Sequence, residues 1–168
     1  MFAGHVDVID GVDLSPRMIN RAKAKGLYRN LIAGDITDLP DALDRDYGLV
    51  VAADVLNYLG DLVPALRAAH ERIVPGGLMV FSLEHGDTFP FDLGPGQRFR
   101  HHEQAIHDWL KDCQFKVIAD VIGILRQEKG NPVSGRIMVV RAGDGIAELL
   151  DGVGHLPDPE RSIDRTVH

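Results

Sequence analysis

The 168-residue chain has one cysteine, Cys113, which cannot form an internal disulfide. A reducing cytoplasm fits that usage, and a lone thiol reads as a small core residue. Long apolar runs are missing too. The longest, residues 49–53 and 77–83, fall far short of the ~20 residues needed to cross a bilayer. The opening MFAGHVDVID has neither a basic start nor an apolar stretch, so no signal peptide is expected. Basic stripes are also absent. Lys and Arg number 18 against 25 Asp and Glu, a net charge of −7. This weighs against a nucleic-acid partner, whose binding depends on neutralised phosphates, and with apolar runs this short no membrane partner is expected either. There are no repeats and no low-complexity segments.

What is present is alternation. Residues 8–14 read as a strand. Ser15 follows at an N-cap and Pro16 at the first helical position, where a missing N–H does no harm. Met18, Ile19 and Ala22 recur at helical spacing, and Gly26 stops the helix. A short strand is predicted over residues 30–34. The continuous apolar run YGLVVAA (47–53) suits a strand covered on both faces. Asp61 can cap a helix with the stripe Leu62, Leu66, Ala69 and Ile73, with Arg67, Glu71 and Arg72 off it. VPGG (74–77) reads as a helix stop and turn, LMVFSL (78–83) as another buried strand. Residues 85–100 read as a long loop, and residues 101–113 as a helix. Residues 115–125 and 133–141 read as strands of an antiparallel hairpin. A short helix is possible at 146–150, and the tail reads as disordered. Residues 1–142 are thus expected to hold the domain and 143–168 a tail. The order implies an α/β fold with a mainly parallel sheet, whose last strand runs antiparallel.

In such sheets ligands bind beyond the carboxyl ends of the strands. Three strands here end in an acid: Asp13, Asp35 and Asp54. A carboxylate accepts two hydrogen bonds, so Asp13 suits the two hydroxyls of a ribose. Asp35 suits an adenine amino group, and Ile36 can offer a backbone N–H to the ring. Leu14 and Met18 can supply apolar contact. Singly, each acid is equally well an ordinary turn residue or cap; three in matching positions favour a ligand site.

GVDLSPRMINRAKAKG, LIAGDITDLP, YGLVVAADVLNYLGDL and RIVPGGLMVFSLEHG resemble, in order and spacing, the motifs of class I S-adenosylmethionine-dependent methyltransferases. The nearest type acts on small molecules and includes the methyltransferase domains that follow tetratricopeptide repeats. The resemblance implies a Rossmann-like sheet with an antiparallel C-terminal hairpin and S-adenosylmethionine as cofactor. It gives Asp13 the ribose, Leu14 and Met18 the adenine ring, and Asp35 and Ile36 its edge. Ala53 and Asp54 fall near the methionine part. The family's first strand and glycine-rich loop find no counterpart before residue 8. The expectation is an N-terminally truncated domain that binds cofactor weakly or not at all, with unpaired sheet edges open to self-association.

Tyr58, His85 and His102 are candidates to line a substrate pocket, as is His101; Arg98 and Arg100 could meet an acidic substrate. Each reads equally well as a packing, cap or surface residue. His102 and His107 stand five apart, about 140° round a helix, which excludes a zinc-protease site; no metal is expected. No catalytic base stands out. The function implied is methyl transfer to a small-molecule acceptor. The alternatives are a non-catalytic binding or structural fragment and an NAD-dependent Rossmann enzyme, which also uses an acid on the ribose.

Overall fold

The computed structural model describes residues 6–43, 46–94, 96–128 and 130–143. The possible helix at 146–150 and the tail lie outside them. The first unit is small. Strand β1 (Asp10–Asp13), helix α1 (Pro16–Lys23) and strand β2 (Asn30–Ala33) follow one another, and β1 pairs parallel with β2. Ser15 caps α1, its Oγ accepting from the Met18 N–H at 3.4 Å, and Pro16 opens the helix. Ile19 is the one residue of α1 that is buried.

The second unit is a six-stranded sheet. Strand β3 (Tyr47–Ala52) runs parallel to β4 (Ile73–His85). On the other edge of β4 lies β8 (Asn131–Ala142), antiparallel, and β7 (Phe115–Glu128) pairs antiparallel with β8 outside it. The hairpin is as predicted, with longer strands. The loop expected over 85–100 is more structured. Strands β5 (Phe91–Leu93) and β6 (Phe99–His101) form an antiparallel pair within it, stabilised by the edge-on packing of Phe91 against Phe99. Strand β6 runs parallel to the end of β4, on the edge that β3 leaves free above Ala52. VPGG is not a separate turn. It stays within β4, where Gly76 takes a positive φ of 77° and the register with β3 shifts after Tyr47.

Helices α2 (Val63–His70) and α3 (Glu103–Asp112) cover one face of this sheet. Asp61 Oδ1 accepts from the Val63 N–H at the start of α2. The predicted stripe is buried, and Leu62, Leu66, Phe81, Leu83, Met138 and Val140 are at most 1% exposed. Arg72 departs from expectation: it is buried, and its guanidinium donates to the carbonyls of Leu43 and Leu39. Those carbonyls satisfy a charge that the helical pattern placed in solvent.

The two-sided cover expected for residues 47–53 is also corrected. Val51, Val121 and Ile137 share the opposite face and are 47%, 59% and 47% exposed. Helices α2 and α3 lie on one side only, and α1 packs on β1 and β2. Among the described residues β1 and β3 do not pair, so the two sheets stay separate. A side chain links them: the Tyr47 hydroxyl donates to Asp10 Oδ2, which also takes the Arg29 guanidinium.

Candidate functional site

Two acids at the carboxyl ends of β1 and β2 are held alike. The Ser15 N–H donates to Asp13 Oδ1 at 2.8 Å. The Thr37 N–H and hydroxyl both donate to Asp35 Oδ1 at 2.8 Å, which lowers the pKa of Asp35, the backbone bond contributing most. In each case the backbone two residues on takes one oxygen, and the hydrogen bonds among the described residues leave Oδ2 open. The strands also bring the acids together, since the Gly34 N–H donates to the Asp13 carbonyl.

Beside Asp13 runs a groove of about 580 Å³ between α1 and the β1–β2 pair, lined by Met18, Ile19, Tyr28 and Leu31 among others. Of the expected cofactor residues, Asp13 and Met18 line it. Leu14 points outward, 74% exposed, and the Ile36 side chain packs against the main core. Ala53 and Asp54 belong to the other sheet, just past the end of β3.

Asp54 is the centre of a second cluster. Its backbone is left-handed, φ 55°, a conformation that Asp tolerates better than most residues, and its N–H donates to Ser82 Oγ. Asp54 Oδ1 accepts from Asn57 Nδ2 at 2.9 Å and from Arg98 and Arg126 Nη1, each at 3.3 Å. Glu84, at the end of β4, accepts from Arg126 Nη2 at 2.6 Å and from Asn57 Nδ2 at 3.4 Å. Burial alone would lower the pKa of Arg126. Its bonds to Glu84 and Glu128, with the charges of Glu84 and Asp54, outweigh this and raise it. Arg98 Nη2 donates to the Tyr58 hydroxyl at 2.9 Å, and its guanidinium lies over the Tyr58 ring, 5.1 Å from the centroid.

The β5–β6 hairpin that brings in Arg98 is fixed from below. Buried His101 donates from Nε2 to the carbonyls of Leu59 and Gly60, at 2.9 and 3.1 Å. Carbonyls only accept, so Nε2 carries the proton. Desolvation lowers the His101 pKa. Gly60 passes under Phe91 so closely that an added Cβ would stand 2.5 Å from its ring.

Tyr58 therefore joins the cluster. His85 stands apart, exposed beside Asp87. His102 is the N-cap of α3, its Nδ1 accepting from the Gln104 N–H, with its ring edge-on to Phe89. Arg100 pairs with Asp92, away from Asp54. Glu103, His107 and Asp120 lie close together, but Arg136 already binds both carboxylates. Sequence reasoning missed Glu84, Asn57 and Arg126. Glu84 had a usable signal, since it ends an apolar strand as Asp54 does. Arg126 had none, because the hairpin register alone brings it 72 positions back to Asp54.

Known proteins point the same way. A family profile described as a methyltransferase domain matches residues 2–81. The ubiquinone biosynthesis O-methyltransferase of Cereibacter sphaeroides is 29% identical over 143 residues, 79% of this chain and 55% of that protein. The malonyl-[acyl-carrier protein] O-methyltransferase 1 of Coxiella burnetii is also 29% identical, over 60% of this chain and 35% of that protein. The chain thus spans about half or less of the curated relatives it matches. The N-methyltransferase NodS of Bradyrhizobium japonicum, solved with S-adenosyl-L-homocysteine, shares the fold at a TM-score of 0.63 and 23% identity, over 83% of this chain and 69% of that one. By motifs, fold and relatives together, the chain is similar to the class I S-adenosylmethionine-dependent methyltransferases.

Proposed function

We propose that the protein carrying this chain transfers a methyl group from S-adenosylmethionine to a small-molecule acceptor. The observation that carries the reading is the matched pair Asp13 and Asp35. Both sit beyond adjacent parallel strands, each with one oxygen fixed by the backbone two residues on. Carboxylates held this way suit the ribose hydroxyls and the adenine amino group, because their orientation costs nothing further on binding.

The residues fit the cofactor. Asp13 would hold the ribose, Met18 would contact the adenine ring, and Asp35 would take its amino edge, with the Ile36 N–H beside it. Leu14 would close the outer side, and Ala53 and Asp54 would face the methionine end. The bound cofactor supplies a methyl group on a sulfonium, open to displacement by a nucleophile. The chain's own residues orient, exclude water and balance charge. Asp54, Glu84 and Tyr58 stand at the strand ends where an acceptor would lie; His85 and His102 are the outer candidates. The relatives' names support an enzyme over a non-catalytic module, and the antiparallel β7–β8 edge supports a methyltransferase sheet over an NAD enzyme. The free, buried Cys113 fits a cytoplasmic setting, and among the described residues no helix is long and apolar enough to cross a membrane.

Calorimetric titration with S-adenosylhomocysteine and with NAD tests the reading. Binding of S-adenosylhomocysteine, weakened at least tenfold by Asp13→Ala, is expected. Preference for NAD, or an Asp13→Ala variant that binds like wild type, would sink it.

A further inference from the structure

The cluster at the ends of β3 and β4 has an unusual charge arrangement. Arg98 comes from the β5–β6 hairpin and Arg126 from near the tip of β7–β8, and both turn inward, with side chains 18% and 20% exposed. Their carboxylate partners are of two kinds. Glu84 is fixed, its side chain 8% exposed. Asp54 and Glu128 are 49% and 42% exposed. An exposed ion pair adds little stability, because water can replace either partner at small cost. A buried carboxylate has no such freedom.

The consequence is an imbalance that a ligand can use. If Asp54 and Glu128 swing toward water, two guanidiniums face one fixed carboxylate, Glu84. One positive charge is then left uncovered, already desolvated, at the place where an acceptor would lie. Arg98 stays in position during this exchange, because the Tyr58 hydroxyl and ring hold it. Tyr58 is itself 56% exposed and offers a flat wall beside the guanidinium.

We infer that Arg98 and Arg126 form an anion-recognition pair for the methyl acceptor, which carries a carboxylate or phosphate group, an inference that rests on the methyl-transfer reading of the site. The acceptor's oxyanion takes the positions on the two guanidiniums that Asp54 holds here. Guanidinium groups suit this exchange, since each presents its donors in a fixed planar fork matched to two oxygens. Asp54, once released, is free to face the methionine end of the cofactor. Arg100 takes no part, as Asp92 holds it.

The test follows the Nε–H signals of Arg98 and Arg126 and the ring signals of Tyr58 by NMR while the chain is titrated with benzoate, inorganic phosphate or neutral benzamide at constant ionic strength. Benzoate, phosphate or both are expected to shift these signals at concentrations where benzamide does not. Benzoate alone marks a carboxylate acceptor, phosphate alone a phosphorylated one. Arg98→Gln and Arg126→Gln should each weaken the effective anion at least fivefold, and Arg100→Gln should not change it. Equal shifts with benzoate and benzamide and none with phosphate overturn the inference, as does wild-type affinity in both site variants. Should the variants fail to fold, the probe comparison on the wild-type chain still decides. S-adenosylhomocysteine is titrated in parallel. If it binds while no anion is discriminated, this inference alone fails. If an anion is discriminated while S-adenosylhomocysteine does not bind, the anion site stands and its role as an acceptor site falls.

Discussion

The two sheets of this protein are built to different standards. The six-stranded sheet packs α2 and α3 on one face, and residues such as Leu66, Phe81 and Met138 are at most 1% exposed. The β1–α1–β2 unit has little of this. Ile19 is its one buried apolar side chain, while Met18, Leu14 and Leu27 are 45%, 74% and 43% exposed. The smaller unit nevertheless carries Asp13 and Asp35, the pair on which the functional reading rests. Tight packing is concentrated in one half, and the acids proposed to hold the cofactor's nucleoside lie in the other. Elements that bind ligands often come from the less stable end of a structure, where local opening costs least.

The contrast can be broken at its strong side. Phe81→Ala should cost about 3–5 kcal/mol of global stability, the usual range for emptying a buried aromatic site. Denaturant unfolding measures that loss. Native-state hydrogen exchange on the wild type should show β4 and β8 amides exchanging only through global unfolding and β1 and β2 amides exchanging much faster. Equal protection in both sheets would remove the contrast.

A medium effect sharpens it at the seam. Asp10 joins β1 to Arg29 and to Tyr47 on β3, and its pKa is held down to about 2, chiefly by the Arg29 hydrogen bond. A depressed carboxylate stabilises the fold above its unfolded pKa. That contribution is lost as pH falls from about 4 toward 2. The loss should be on the order of 1–2 kcal/mol, discounted because Arg29 is half exposed. Asp10→Asn should flatten this part of the stability profile in an acid titration followed by circular dichroism; an unchanged profile would remove Asp10 as the link.

The smallest effect lies within the weak unit. Ser15→Ala removes the cap of α1, whose bond to Met18 is long at 3.4 Å. The cost should sit near the low end for caps, about 0.5 kcal/mol. Faster exchange confined to the first turn of α1 is the expected signature, and slower or unchanged exchange there would contradict it.

Much of the fold was legible because its signals are local. Ser15-Pro16 marks a helix start through its own cap and fixed φ. Leu62, Leu66 and Ala69 announce the buried face of α2 through a 3.6-residue period, whereas Ile73, expected on the same stripe, is buried as the first residue of β4. The three strand-end acids were legible as well, since Asp54 directly follows an apolar run, Asp35 follows Leu31-Ile32-Ala33-Gly34, and Asp13 stands just before the Ser15-Pro16 helix start. The strands inside 85–100 were not, because Phe91–Leu93 and Phe99–His101 are three residues each and hold together by pairing with one another and with β4. Nor was the burial of Arg72, which depends on carbonyls about thirty positions away.

By itself the sequence determined the alternation of elements, the placing of Asp13, Asp35 and Asp54 at strand ends and, through motif order, the resemblance to a methyltransferase family. Each of these depends on neighbours within a few residues. Tertiary structure decided which charges meet. It brought Arg98 and Arg126 to Asp54 across 44 and 72 positions and separated Arg100 from them, although Arg98 and Arg100 are two residues apart. A charged side chain is paired by sheet register and hairpin placement, and a linear pattern carries neither.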